Sequence, residues 1–158
     1  MRKLYIRQKV FKITDHYPIM DEYQNPIYQV DQDFNLIGDT VHVKEANGPE
    51  IFVVEKVIFS LLPQFVVTFR DGSQIKIKSR LALLRRHIDV ESDTYNLRLE
   101  GSFWDYSFRV FHGETVIGEI SQAVLSWADT YELTIYDEAF EQIVIALMIA
   151  VDHLRDRK

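Results

Sequence analysis

The chain of 158 residues contains no cysteine. Structural disulfides and thiolate metal or redox sites are therefore excluded, which suits a reducing cytoplasm. Glycine and proline are sparse, at six and four, and no Pro/Gly/Ser-rich linker divides the chain. The expected organisation is one domain over 1–158 with one sizeable core. A basic excess is missing too: 18 Lys and Arg stand against 24 Asp and Glu, a formal net charge of −6. That argues against general nucleic-acid binding, which a basic face usually carries, and it weakens attraction to anionic membranes. The opening MRKLYIRQKVFKITD has basic residues but lacks the apolar stretch of roughly 7–15 residues that a secretory signal needs. The expected location is cytoplasmic, with peripheral attachment to a membrane as the alternative.

What is present before Asp137 is almost entirely strand-like. Short runs of Val, Ile, Phe, Tyr and Thr are separated by turn residues, the spacing of an all-β protein. The turn candidates are QNP (Gln24–Pro26), DFN (Asp33–Asn35), NGP (Asn47–Pro49), RDGS (Arg70–Ser73), ESD (Glu91–Asp93) and HGE (His112–Glu114). Asp71-Gly72 is the strongest hairpin signal, because glycine accepts positive φ at no steric cost. Phe65, Val67 and Phe69 alternate before it, and Ile75 and Ile77 after it, as in half-buried strands. Tyr17–Val30, Phe65–Ile77 and Tyr106–Ile120 share one plan of strand, polar turn and strand. Roughly ten to twelve strands are expected, near 3–7, 10–14, 17–22, 26–31, 41–45, 50–57, 64–70, 74–80, 83–89, 95–101, 105–111, 115–121 and 130–136, with two or three of these merging or failing.

The segment from Asp137 to Lys158, DEAFEQIVIALMIAVDHLRDRK, is different. Ile143–Val151 is an unbroken run of nine apolar residues. Asp137 is a candidate helix cap. Glu138 and Glu141 suit the positive end of a helix, and His153, Arg155, Arg157 and Lys158 suit its negative end. A membrane span needs about 20 mainly apolar residues, whereas nine rise only about 14 Å. Nine in a row also cover every face of a helix, so a surface amphipathic helix fails. A helix buried on all sides remains. With strands as the only other material, the enclosure is a barrel. Eight strands hold little beyond their own side chains, so a helix about 10–12 Å across needs a wider one.

At this point the chain resembles the LURP-one-related family, whose fold is shared with the tubby C-terminal domain and the phospholipid scramblases. The resemblance rests on YIRQKVFKITDHYPIMDEYQNPIYQV, on WDYSFRVFHGETVIGEISQ, and above all on WADTYELTIYDEAFEQIVIALMIAVDHLRD. It implies a mainly β fold: a single antiparallel barrel of about twelve strands closed around a buried hydrophobic C-terminal helix, tubby C-terminal-like. The strand number and the family come from the resemblance; the helix-filled barrel comes from the pattern.

Little catalytic chemistry is visible. Histidines 16, 42, 87, 112 and 153 lack metal-ligand spacing. There is no Gly-x-Ser-x-Gly, phosphate-cradling glycine loop or His-Glu-x-x-His. Asp31/Asp33 and Asp137/Glu138 read as turn and cap residues, and nothing assembles a nucleophile, base and oxyanion donor. Asp89, Glu91, Asp93 and Glu100 take positions 1, 3, 5 and 12 of a calcium loop, but the position-6 glycine is Thr94 and the flanks read as strands. Scramblases carry a proposed calcium segment before the last helix. Here WADTYELTIYDE keeps Asp129 and Glu138 but has Trp127 and Tyr131 where further acids would help, so calcium is not expected to bind. The local basic cluster is KIKSRLALLRRH. Lys76, Lys78 and Arg80 alternate, which in a strand aims all three at one face, and Arg85 and Arg86 follow. Basic residues on the tubby barrel wall bind phosphoinositide head groups, so the resemblance implies an anionic-ligand site there; the bland reading is a solvated strand face.

The function expected is a non-enzymatic binding or scaffold domain of the LURP-one-related type, without a cofactor. Its partner is either a protein or an anionic lipid head group. The alternative is a peripheral membrane protein that binds anionic lipid or phosphoinositide, or a scramblase-related lipid-handling protein. No nucleic acid and no transmembrane span are expected.

Overall fold

The computed structural model describes residues 1–7, 16–34, 39–82, 85–102, 107–123 and 130–155. The alternating pattern folds as it reads. On β6 (Gln64–Phe69), Phe65 and Val67 are buried while Gln64, Val66 and Thr68 between them are partly open. The preceding strands are β1 (Arg2–Arg7), β2 (His16–Met20), β3 (Pro26–Phe34), β4 (Asp39–Glu45) and β5 (Glu50–Lys56). Those that follow are β7 (Gln74–Ala82), β8 (Arg85–Ser92), β9 (Leu97–Ser102), β10 (Ser107–His112), β11 (Thr115–Gln122) and β12 (Thr130–Ile135). Twelve of the spans read from the sequence fall on these strands; the span near 10–14 lies outside the described residues.

All twelve strands form one antiparallel sheet in the order β8-β7-β6-β5-β4-β3-β2-β1-β12-β11-β10-β9. Sequence neighbours pair, as a meander requires. The one long-range junction sets β1 against β12, from Arg2 opposite Ile135 to Arg7 opposite Thr130. Among the described residues no ladder joins β8 to β9. The barrel is therefore nearly closed, with its seam between these two strands.

Most turns fall where turn residues are. Gly72 takes φ +88°, and the Asp71 carboxylate accepts from the backbone N–H and hydroxyl of Ser73 at 2.9 and 2.6 Å. The three segments that share a plan are the hairpins β2–β3, β6–β7 and β10–β11, four strands apart along the chain; Tyr106 lies outside the described residues. Two turn expectations are corrected. Asp33 and Phe34 continue β3, opposite Thr40 and Asp39 of β4, because the ladder supplies partners for their backbone groups. β8 likewise runs to Ser92, opposite Ile75, so the following turn starts at Asp93.

After β12 the Asp137 carboxylate accepts from the Ala139 N–H at 3.0 Å. It thereby caps a 3-10 turn, Glu138–Phe140, rather than the α-helix itself. The helix, α1, runs from Glu141 to Arg155. No residue from Ile143 to Val151 is more than 6 % exposed. Inward side chains from the sheet, such as Leu4, Ile19, Val43, Phe52, Ile77, Val110 and Leu133, complete the same core around it. Burial of each large apolar side chain is worth roughly 1.5–3 kcal/mol, so α1 is the largest single contributor. Gly118 on β11 marks a close approach: a Cβ there would lie 2.6 Å from Val144 Cγ2.

This packing generates a prediction. Ile145→Lys places a charge where no water reaches, and the cost of an unpaired buried charge exceeds the marginal stability of a domain. Denaturant unfolding should show loss of the cooperative transition. A chain lacking residues 137–158 should be insoluble or molten; a soluble, cooperatively folding product would overturn the central role of the helix.

Candidate functional site

The basic candidates sit on β7 and β8. Ile75, Ile77 and Ser79 are buried on the inner face of β7, so the intervening Lys76 and Lys78 face outward. Lys76 is exposed. Lys78 pairs with Glu91 of β8 at 3.2 Å. Arg80 holds the next outward register position, opposite His87, and Arg85 holds another, opposite Ala82. Arg86 lies opposite Leu81, on the register of Ile88 and Val90 and thus on the other face. The side chains of Arg80, Arg85 and Arg86 are outside the described residues. The strand therefore brings four of the five to one register face and leaves Arg86 off it. The acids of β8 interleave with the lysines, since Asp89 opposes Lys78 and Glu91 opposes Lys76.

The calcium-spaced acids are dispersed. Asp89 and Glu91 lie on β8, Asp93 in the link and Glu100 on β9, with Arg98 bound to Glu100 at 2.9 Å. Arg98 also lies over the Phe111 ring at 4.4 Å. Trp127 and Asp129 are outside the described residues. Glu138 is exposed in the 3-10 turn, and Tyr131 faces inward. Asp31 and Asp33, read as turn acids, are strand residues, and Asp31 stands 3.5 Å from His16. His42 contacts Glu50 at 2.8 Å. The His112 ring meets Tyr95 and Phe140 at 5.5 and 4.9 Å. His153 Nδ1 is 2.9 Å from the Ile149 carbonyl. The His87 side chain is outside the described residues. No cluster of three or more metal-ligand side chains occurs among the described residues.

Sequence reasoning missed two polar anchors at the ends of α1. Glu141 is buried, accepts a short hydrogen bond from the Tyr28 hydroxyl, and pairs with Arg2 at 3.2 Å. Asp152 is buried and accepts from the Tyr131 hydroxyl at 3.1 Å. The two acids are eleven positions apart, close to three helical turns, so they share one face about 16 Å apart. Their partners come from β1, β3 and β12. The greasy helix is thus keyed in rotation and height against one sector of the wall. The signal was in the sequence as two acids bracketing the apolar run; Glu141 read as a dipole partner at the positive end, Asp152 had no assigned role, and only the tertiary fold shows both buried.

The tyrosines feel these carboxylates. Burial, then the bond to Glu141, pushes the Tyr28 phenol well above its ordinary value of 10. Burial, then the Asp152 charge, does the same to Tyr17. Burial and the bond to Glu132 push Tyr5 up to about 12. Two recesses, about 480 and 270 Å³, open beside the β8–β9 link, and Thr94 and Tyr95 line both. The Ser73 hydroxyl and the Asp71 carboxylate, which close the β6–β7 turn, line the second. Both recesses are at the surface, because the interior is occupied.

A barrel whose interior is its own helix, with chemistry confined to wall and rims, defines the class: a mainly β, twelve-stranded, helix-filled fold. The profile of the LURP-one-related family matches residues 2–152, and the chain belongs to that family. It is 25 % identical over 152 residues to the uncharacterised protein YxjI of Bacillus subtilis (strain 168), covering 96 % of this chain and 93 % of that one. An X-ray structure of a protein from Arabidopsis thaliana superposes with a TM-score of 0.61 at 14 % identity, over 94 % of this chain and 90 % of that one; it shares the fold.

The buried phenols generate a second prediction. Because Tyr17 and Tyr28 keep their protons in the fold, the unfolded chain binds fewer protons once pH exceeds about 10. Their contribution is complete below pH 10 and is lost as pH rises toward the folded values. The midpoint of denaturant unfolding should fall steadily above pH 10. Tyr28→Phe should flatten that fall and, by leaving the buried Glu141 Oε2 with Arg2 Nη1 at 3.3 Å as its remaining donor, should cost about 1–3 kcal/mol at neutral pH. An unchanged alkaline slope in the variant would refute the assignment.

Proposed function

We propose that this chain is one LURP-one-related domain over 1–158 that works as a non-enzymatic binding or scaffold module, taking its partner on the outer wall or the rims. The observation that supports this reading is the filled interior. From Val144 to Ala150 no residue is more than 2 % exposed, so the space in which a lipocalin-like barrel would hold a small ligand is taken. The fold by itself does not fix the activity; the location of the accessible chemistry favours surface recognition. Titration with a long-chain fatty acid tests it. No saturable binding is expected by calorimetry, and one-to-one binding that protects α1 from hydrogen exchange would overturn the surface reading.

A second reading is peripheral attachment to an anionic membrane, in a protein of cytoplasmic location. It draws on Lys76 being exposed and on Lys78, Arg80 and Arg85 sharing its outward register. Among the described residues no helix is long and apolar enough to cross a bilayer. Each basic residue near an anionic surface contributes about 1 kcal/mol, decaying within a Debye length. The pairing of Lys78 with Glu91 reduces that sum. Changing Lys76, Lys78 and Arg80 together to Gln should leave folding nearly untouched and reduce sedimentation with phosphoinositide-containing vesicles. An unmodified protein that ignores such vesicles at about 20 mM salt, where the Debye length is long, would refute this reading.

A further inference from the structure

We propose that the connection between β5 and β6, Val57–Pro63, is a membrane-contacting wedge whose Phe59 and Leu61 enter the interface of a lipid bilayer; this rests on the membrane reading above. The segment reads VIFSLLP. Phe59 and Leu61 are fully exposed, at 100 and 104 %, and Ile58 and Leu62 are exposed beside them, at 47 and 37 %. Contiguous exposed apolar surface of this kind marks an interaction site. Phe59 also has φ +64°, a left-handed conformation that is unusual for a bulky residue. Strain and exposure coincide on one side chain, where an ordinary surface connection would place Gly or Asn.

Several observations select a bilayer as the occupant. Four apolar side chains project from one short connection. A fluid hydrocarbon interface solvates every side of such a tip, whereas a rigid protein groove meets one side. The connection is pinned at both ends: the Val57 N–H donates to the Gln64 carbonyl at 2.8 Å and the Pro63 carbonyl accepts from the Ser79 N–H at 3.0 Å, while within it the Ser60 hydroxyl donates to the Leu62 carbonyl. Phenylalanine and leucine are typical of the apolar face that binds at such an interface.

Charge agrees with this placement. The connection leaves β5 at Lys56 and enters β6 at Gln64, which stands opposite Lys78. β7 then continues past β6 to Arg80 and Ala82, and β8 returns from Arg85 and Arg86. The basic positions therefore share one rim with the apolar tip, at the His153 end of α1, where the Phe65 ring meets the His153 ring at 6.1 Å. Glu55 is exposed nearby, so charge alone is a modest attraction, and insertion supplies the rest. The turn carrying Tyr23 lies at the opposite rim, between β2 and β3.

The absence of cysteine makes the test direct. Phe59→Cys and, separately, Tyr23→Cys are labelled with a polarity-sensitive nitrobenzoxadiazole probe and mixed with vesicles of phosphatidylcholine containing one-fifth phosphatidylserine. A blue shift is expected at position 59 and none at 23. The unlabelled double variant Phe59→Asp, Leu61→Asp should keep its thermal midpoint, since both side chains are in water, and should partition to the vesicles at least tenfold less than the unmodified chain. If the unmodified chain partitions and the double variant matches it, the wedge is overturned while the membrane reading stands. If the unmodified chain does not partition at all, both are overturned.

Discussion

Nine consecutive apolar residues leave a helix no face for water, and that one hydrophobic constraint organises the rest of the molecule. Ile143–Val151 has to be surrounded. A sheet can surround it only by curving back on itself, and only with enough strands to leave a helix-wide bore. The meander supplies ten of the twelve junctions that a closed twelve-stranded wall needs, β1 reaching β12 supplies another, and among the described residues β8 and β9, adjacent in sequence, are left as edges. The inner face of the wall is mainly apolar because it faces the same cylinder. Gly118 is small because at that point the cylinder touches the wall.

A smooth hydrophobic cylinder in a smooth bore has no unique rotation or height. The carboxylates of Glu141 and Asp152 remove that freedom. Each is buried and reaches a tyrosine from the wall, and Arg2 adds its charge to Glu141. A buried polar contact is weak support for net stability but discriminates strongly among alternative packings, since any slip leaves a carboxylate unmatched. Apolar burial makes enclosure favourable, and two polar bonds select which enclosure.

The division between what the chain shows and what it conceals follows the same line. Period-two alternation is a local property, so strands such as Phe65–Phe69 and the Asp71-Gly72 hairpin were legible, and the unbroken run from Ile143 made the helix and its burial legible too. Asp33 and Glu91 looked like turn residues because their type favours turns; the cross-strand partners Thr40 and Lys76 outweighed that preference, and partners distant in sequence are invisible to a local reading. For the candidate site, the alternation of Lys76, Lys78 and Arg80 gave their common register, while the acids opposite them on β8 and the reversed register of Arg86 depend on the β7–β8 pairing. The apolar connection Ile58–Leu62 was hidden for a related reason: the gap between the spans 50–57 and 64–70 is legible, but only the fold shows its side chains left in water.

The helix follows all twelve strands along the chain, and this order has a kinetic consequence. At ribosomal rates of about 5–20 residues per second, β1 leaves the ribosome roughly seven to thirty seconds before α1 does. Throughout that interval Leu4, Ile19 and Val43 have no axis to pack on. The wall is incomplete as well, because Arg2 pairs with Ile135 and β1 must wait for β12. Closing the wall and filling it are thus deferred to one stretch, 130–155. The nascent protein presents open strand edges and unshielded apolar faces until a single late step resolves both, so its exposure to chaperones and to aggregation is set by how quickly that last stretch is delivered.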